Sequence, residues 1–311
     1  VADLAVHDVD RARALDAADP LTGLRAEFAV PPWPGGREPE WAYFAGNSLG
    51  LMPLAARDAV ATELDEWARV AVEGWFEARE PWLDYAGSLR PSVARLVGAA
   101  PEEVAVASAL TVDLHLLLAS FYRPAGRRTR ILIEDAAFPS DSHAVASQAA
   151  LHGLDPEETI VRAPSLATGD LVDAIEREGE QLALVLLGAV NYLGGEVLDV
   201  GAVTAAARRV GAVAGWDLAH AVGNVPVDLH GAGADFAVWC HYKYVNAGPG
   251  APAGLFVHER HGGDRNLFRL AGWWAVDPAE RFRMEPGFAA RPGAEGWSIS
   301  TPAILAHAPL R

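Results

Sequence analysis

Four short stretches carry residues able to do chemistry, and the sharpest is Trp239-Cys240-His241-Tyr242-Lys243-Tyr244. Of 25 basic residues, Lys243 is the only lysine, so the other 24 are arginine. An amine can lose its proton when desolvated and attack a carbonyl to form a Schiff base, whereas a guanidinium stays protonated. A position that keeps lysine in so arginine-rich a chain is therefore a candidate nucleophile. Trp216-Asp217-Leu218-Ala219-His220 ends an apolar run in an acid, which places Asp217 in partly buried surroundings. A buried carboxylate needs a partner that stabilises its charge. Three partners suit it: a metal shared with His220, a His–Asp catalytic pair, or the cationic ring nitrogen of a bound cofactor. The chain has no HExxH pattern, no second Asp/His pair and no G-x-S-x-G elbow to favour a metal or a serine triad.

The other two stretches open helices. Ser108-Ala109-Leu110-Thr111-Val112-Asp113 offers Thr111 as an N-cap, and free backbone N–H groups there suit an anion. Phe138-Pro139-Ser140-Asp141 sets an aromatic ring beside a helix start, where it could stack on a flat cofactor. Plain capping and core packing explain either stretch taken alone. Taken in order, a helix start, an aromatic ring, Asp217 with His220, and Lys243 at a strand end match the demands of pyridoxal phosphate. That cofactor needs an amine for its aldehyde, an acid for its ring nitrogen and donors for its phosphate.

Apolar periodicity supplies the elements that must hold these residues. The first forty residues read as a short helix and an extended, Pro-rich arm. Helical spacing covers 53–72, with Leu54, Val60, Leu64 and Trp67 on one side, and a further helix covers 88–97 and ends at Gly98. Helices then alternate with apolar runs. The helices are at 112–121, 140–151, 169–178 and 201–209. The strand-like runs are at 130–134, 182–187, 211–217, 236–240 and 254–258, with an irregular linker between 151 and 169. Continuous apolar runs between helices predict an α/β fold around a mostly parallel sheet. Ligands on such sheets bind at the carboxyl ends of strands, where all four stretches fall.

Composition narrows the partners. The 311 residues are 51% hydrophobic, and 25 basic against 41 acidic residues give a net charge of −16. No basic run could face nucleic acid or an anionic membrane. The single cysteine, Cys240, allows no internal disulfide and no Cys-cluster metal site. The longest apolar stretch, Leu114 to Phe121, is too short to span a bilayer. No signal peptide is visible, and the expectation is a cytoplasmic protein acting on a small molecule without a metal.

From about Tyr43 onward the chain resembles kynureninase, a fold-type I pyridoxal-phosphate enzyme of the aspartate aminotransferase class. The resemblance is carried by Phe44-Ala45-Gly46-Asn47-Ser48-Leu49-Gly50, Leu110-Thr111-Val112-Asp113-Leu114-His115 and Phe138-Pro139-Ser140-Asp141. It continues through Asp217-Leu218-Ala219-His220-Ala221-Val222-Gly223-Asn224, Tyr242-Lys243-Tyr244-Val245-Asn246-Ala247-Gly248, Gly272-Trp273-Trp274 and Ile299-Ser300-Thr301-Pro302. It implies an N-terminal arm over 1–52 and a cofactor-binding large domain over 53–290. Residues 291–311 would start a small C-terminal domain whose remainder is absent from this chain. It also implies that Lys243 holds the cofactor, Asp217 pairs with its ring nitrogen, His220 and Asp141 support the ring's polar edge, and Phe138 stacks on it. Leu110, Thr111 and Tyr242 would meet the phosphate, with Pro139 and Ser140 beside them. Trp273 and Thr301 would reach the site of a partner in a homodimer.

The implied reaction is hydrolysis of the Cβ–Cγ bond of kynurenine or 3-hydroxykynurenine, giving anthranilate or its hydroxy form and alanine. Such a step belongs to tryptophan catabolism and NAD biosynthesis, with Lys243, Tyr242 and Asp217 as catalytic residues. Substrate-side positions are expected at Ser48, Trp75, Glu196 and Val276. Three of them depart from the family pattern: Trp75 stands for a histidine, Glu196 for a glutamine and Val276 for a histidine. These departures leave two other readings open: a related lyase with a different amino-acid substrate, and a truncated non-catalytic relative.

Overall fold

A computed structural model describes residues 8–35, 40–264 and 266–311. Parts of the expected N-terminal arm, 1–7 and 36–39, lie outside the described residues. Helix α1 (Val9–Ala18) leads to β1 (Phe28–Ala29), which pairs antiparallel with β2 (Met52–Pro53). Helices α2 (Leu54–Val70), α3 (Gly74–Glu77) and α4 (Tyr85–Leu96) come next. The alternating part then runs β3 (Val104–Ala107), α5 (Leu110–Phe121), β4 (Arg130–Glu134), α6 (Pro139–Leu151), α7 (Pro156–Thr159), β5 (Ile160–Ala163) and α8 (Thr168–Glu178). It continues with β6 (Leu182–Gly188), α9 (Val200–Val210), β7 (Val213–Asp217), α10 (Leu229–Ala232), β8 (Phe236–Cys240) and β9 (Ala253–Val257).

The main sheet has the order β3-β9-β8-β7-β6-β4-β5. Only β9 runs against the rest, being antiparallel to both β3 and β8. Successive strand residues point to opposite faces and build two cores. Ile131, Ile133, Leu184 and Leu186 pack under α5 and α6, while Leu132, Val185 and Leu187 pack under α4, α8 and α9. The three fully buried tryptophans each find an indole acceptor: Trp216 on Thr204 Oγ1 at 3.1 Å, Trp239 on His241 Nε2 at 2.9 Å, and Trp297 on Ser120 Oγ at 2.8 Å. Trp297 and Ala294 belong to the α5-side core, so the stretch expected to open a second domain packs here on the sheet.

Three expectations need correction. The supposed linker at 151–169 contains edge strand β5, paired in parallel with β4. Its burial is partial and Arg162 interrupts its apolar run, so it lacks the signature of a central strand. Strand β3 also goes unread in the sequence, because its Val-Ala-Val-Ala run has only modest strand preference and tertiary burial on both faces decides it. Helix α2 has the expected length, yet Leu54, Leu64 and Trp67 are exposed and the buried face carries Ala56, Glu63 and Glu66. Glu63 accepts a 2.8 Å bond from Trp82 Nε1, and Glu66 accepts from Arg69 and the Arg79 N–H. Among the described residues no helix is long and apolar enough to cross a membrane.

Asp113, near the start of α5, is fully buried, and neither of its oxygens has a hydrogen-bond partner. Burial pushes its carboxyl up to about 8, with nearby Ser108 pulling the other way. The folded chain therefore keeps a proton that the unfolded chain releases above pH ~4. This contribution is fully present below that pH and is lost as pH rises through about 8. Asp113→Asn should raise the melting temperature by several degrees at pH 8 and by much less at pH 5. Equal effects at the two pH values in a thermal melt would refute the buried-acid account.

Candidate active site

Strands β3, β4, β6, β7 and β8 point the same way, so their carboxyl ends meet along one edge. A cleft opens there. It is lined by Leu110 and Thr111 from α5, by Phe138, Ser140 and Asp141 from the start of α6, and by Asp217, His220, Tyr242 and Lys243. Nine of the expected site residues thus converge from separate parts of the chain. Pro139 occupies the first turn of α6 behind this lining.

Lys243 sits in a tight turn that follows β8. The Asn246 N–H closes on the Lys243 carbonyl at 3.1 Å, and Asn246 takes a left-handed φ of 58°, which asparagine tolerates. The turn is braced from two sides. The Gly50 N–H donates to the Tyr242 carbonyl at 2.8 Å, and a Cβ at Gly50 would collide with the Lys243 carbonyl and the Asn246 side chain. On the other side Gly223, at φ 77°, approaches so closely that an added Cβ would lie 3.0 Å from the Tyr244 carbonyl. The three motifs around Gly50, Gly223 and Lys243 are therefore one packed unit.

Lys243 Nζ lies 3.1 Å from His220 Nε2 and 5.7 Å from the centre of the Phe138 ring. Burial and the neighbouring Lys243 charge pull His220 down to about 4, so its imidazole is neutral around pH 7. Asp217 accepts the Ala219 N–H at 2.6 Å. Burial raises its carboxyl, against the pull of that bond and of Lys243. Burial and the Asp217 charge push Asp141 well above the usual carboxylate range, and Asp141 Oδ1 has no hydrogen-bond partner. Burial lifts the Tyr242 phenol to about 12, so it keeps its proton. Buried His241 is held between the Trp239 indole and the Pro252 carbonyl, 2.8 Å from Nδ1, as a core residue.

Five lining residues are not among the expected site residues, Glu134, Gly188, Val190, Tyr192 and Ala219, and Glu134 is the acid among them. Glu134, the last residue of β4, is buried in the cleft and pushed up to about 7 by burial and the Asp217 charge. Its signal is the one that marks Asp217, an acid ending an apolar strand. Thr111 is misassigned as a cap: α5 starts at Leu110 with Ala109 as its N-cap, so Thr111 lies in the first turn, facing the cleft.

Ser48, Trp75, Glu196 and Val276 do not line this cleft, nor do Trp273 and Thr301. Ser48 lies exposed in the turn before Gly50. Trp75 packs edge-on against Trp82 at 5.8 Å beside Thr301, in a separate apolar groove. Glu196 belongs to another surface depression, and Val276 bridges to Ala290. Trp273 donates to the Arg281 carbonyl at 3.1 Å and is partly exposed. Among the described residues one group has metal-ligand spacing, Glu103 with His230 and His258, beyond the opposite ends of the strands. Glu103 there accepts the Ala100 and Glu259 N–H groups and braces the chain start of β3.

The family model for aminotransferase class-V matches residues 43–255. Kynureninase of Salinispora tropica is 55% identical over 98% of this chain and 72% of its own length. Kynureninases of Xanthomonas campestris pv. campestris and Myxococcus xanthus are 53% and 50% identical, each over 96% of this chain and 71% of theirs. The chain belongs to the kynureninase family. The fold agrees with its class. The cystine C-S lyase C-DES, with glycine covalently linked to its PLP cofactor, superposes with a TM-score of 0.75 at 21% identity, over 92% of this chain and 71% of that one. The cysteine desulfurase CsdA of Escherichia coli gives 0.72 at 18% identity, over 93% and 69%.

The brace on the lysine turn makes a direct prediction for this family member. Gly50→Ala forces the Lys243 carbonyl and Asn246 to move, although Gly50 itself lines no part of the cleft. The variant should fold, and its retention of bound pyridoxal phosphate through gel filtration should fall several-fold. Unchanged retention would show that the turn holds its shape without the Gly50 contact.

Proposed function

We propose that the chain is a pyridoxal-phosphate-dependent hydrolase that cleaves the Cβ–Cγ bond of kynurenine or 3-hydroxykynurenine. The observation that carries this reading is the cleft's chemistry: the sole lysine beside two buried carboxyl groups, Asp217 and Asp141, with Asp141 Oδ1 left without a hydrogen-bond partner. Such a set suits a ligand with an aldehyde for the amine and a cationic nitrogen for the acids. Free N–H groups at the start of α5 suit its phosphate. Curated kynureninases at 50 to 55% identity over nearly the whole chain support the same reading over a lyase with another substrate. The presence of Lys243 and Asp217 speaks against a non-catalytic relative.

In this reading Lys243 attaches the cofactor, Asp217 faces its ring nitrogen, Asp141 and His220 border the ring, and Phe138 covers one face. Leu110, Thr111 and Tyr242 surround the phosphate, with Pro139 and Ser140 fixing the turn beside it. Bound there, pyridoxal phosphate supplies an electron sink for carbanion charge on the substrate. Lys243 Nζ moves the proton at the substrate's Cα. Neutral His220, its Nε2 3.1 Å away, hydrogen-bonds that amine and sets its direction. Water adds at the γ-carbonyl, and the still-protonated Tyr242 phenol serves as a donor rather than a base.

We further propose that the working form is a homodimer. The exposed Leu54, Leu64 and Trp67 side of α2, with Phe76 nearby in the chain, is apolar surface that a second copy would cover. Trp273 and Thr301 lie outside their own chain's cleft, as residues lent to a partner's site would. Trp75, Ser48, Glu196 and Val276 are assigned to the substrate side on the same basis. The domain division at 52 and 290 is retained as part of this reading.

Two experiments test it. Borohydride reduction of the purified protein should fix the cofactor on Lys243. Lys243→Ala and Lys243→Arg should both lose it, together with anthranilate fluorescence on adding kynurenine. Cofactor fixed elsewhere, or kynurenine turnover by either variant, would overturn the assignment. For the dimer, sedimentation should give twice the chain mass, and Trp67→Asp should shift it to one chain and lower activity. A wild type that is monomeric and fully active would sink the shared site.

A further inference from the structure

Glu134 stands at the end of β4 with both carboxylate oxygens committed. Oε2 accepts the Gly188 N–H at 3.2 Å, and Oε1 accepts the Asn191 side-chain amide at 3.4 Å. The orientation of that amide is not free. Asn191 Oδ1 receives the Leu193 and Gly194 N–H groups, each at 2.9 Å, so its NH₂ must face Glu134. The same residue closes the loop with backbone bonds, its N–H to the Glu196 carbonyl at 2.9 Å and its carbonyl to the Gly195 N–H at 3.0 Å. The next residue, Tyr192, meets the Phe138 ring edge to face at 5.2 Å, and Phe138 in turn lies 5.7 Å from Lys243 Nζ. A continuous set of contacts therefore joins Glu134 to the aromatic wall of the cleft.

We infer that Glu134 is a positioning residue: through Asn191 it sets the Tyr192–Phe138 wall against which the cofactor ring rests. The inference rests on the cofactor reading above. Its physical basis is a count of acceptors. Two donors aimed at Glu134 need two acceptor oxygens, and a side-chain amide offers one. Glu134→Gln keeps the size of the side chain but must leave one donor facing another. Asn191→Asp alone sets two buried carboxyl groups against each other. The double change E134Q/N191D restores every bond with the polarity reversed. The amide introduced on β4 would accept the Gly188 N–H and donate to the carboxylate introduced in the loop. The second oxygen of that carboxylate keeps the Leu193 and Gly194 N–H groups.

The experiment titrates each apoprotein with pyridoxal phosphate, following visible absorbance and tryptophan fluorescence, and records thermal melts and kcat against KM alongside. Each single variant should bind the cofactor about ten-fold more weakly, the usual effect of orphaning one buried donor. The swap should recover most of that loss and return the absorption spectrum to that of the wild type. Wild-type cofactor affinity in E134Q would overturn the inference. So would a swap that binds no better than the single variants, or loss of the cooperative melt in all three, which would assign Glu134 to the core instead. A wild type that takes up no pyridoxal phosphate would remove the cofactor reading and this inference with it, whereas a loaded wild type with unaffected E134Q removes this inference alone.

Discussion

Three carboxylic acids and one amine share the carboxyl edge of the sheet, and their arrangement governs everything else in the site. Glu134, Asp141 and Asp217 are all buried, and Lys243 is the lysine they face. Isolated buried carboxylates are costly, so the group must hold protons, accept hydrogen bonds or meet a cation. The acids divide these options among themselves. Burial raises the Asp217 carboxyl, while the Ala219 N–H and the nearby amine favour its charged form. Asp141, with one oxygen unpartnered and Asp217 beside it, is the member that keeps its proton. An incoming cationic ring nitrogen would relieve this conflict, so the cluster is electrostatically disposed toward such a ligand.

Topology makes that concentration of charge possible. Six strands, β3 to β8, run in one direction because their crossovers return each to it, and the ends of five of them deliver one to three polar side chains each to the cleft. Antiparallel β9 delivers none to the cleft; it starts at that edge, so the turn that carries Lys243 lies in the connection from the end of β8 to the start of β9. That turn is packed against glycines from two distant segments. Gly50 and Gly223 bring backbone, rather than side chains, against the Lys243 turn. Precision at the amine is therefore set by close backbone packing from the N-terminal segment and from the loop after β7.

The residues that were legible in the sequence are those whose type is costly where it sits. A lone lysine among arginines, and an acid closing an apolar strand at Asp217, both stand out without any structure. Glu134 carries the second of these signals equally well, but at the end of β4 it reads as the polar residue that ends a strand. Nothing local distinguishes the two, since the difference lies in which neighbouring strands end beside them. Strand β5 fails for a related reason: an edge strand with Arg162 in its middle is shaped by pairing with β4 rather than by its own pattern. Helix α2 shows the limit of periodicity most plainly. Spacing locates a stripe of Leu54, Leu64 and Trp67, but it does not say whether the stripe faces this chain or another.

That last point bears on how the site is completed. Within one chain the cleft joins charged groups that suit a cofactor to an aromatic side made of Phe138, Tyr192 and Tyr242. The residues assigned to the substrate lie in the groove beside Trp75, at the Glu196 depression and in the loops after β9. Trp75, Trp82 and Trp274 form an apolar cluster there, with indole rings about 5.8 to 5.9 Å apart. In the proposed reading the charged cofactor side is fixed by the sheet, whereas Trp75 and Thr301 line an apolar groove of their own. Trp75 packs against Trp82 and Trp274 outside the lining of the Lys243 cleft, so in that reading a change at position 75 alters the apolar groove and leaves the electrostatics of Lys243 and Asp217 undisturbed. The cofactor-side motifs can thus remain intact while the substrate side departs from the family pattern.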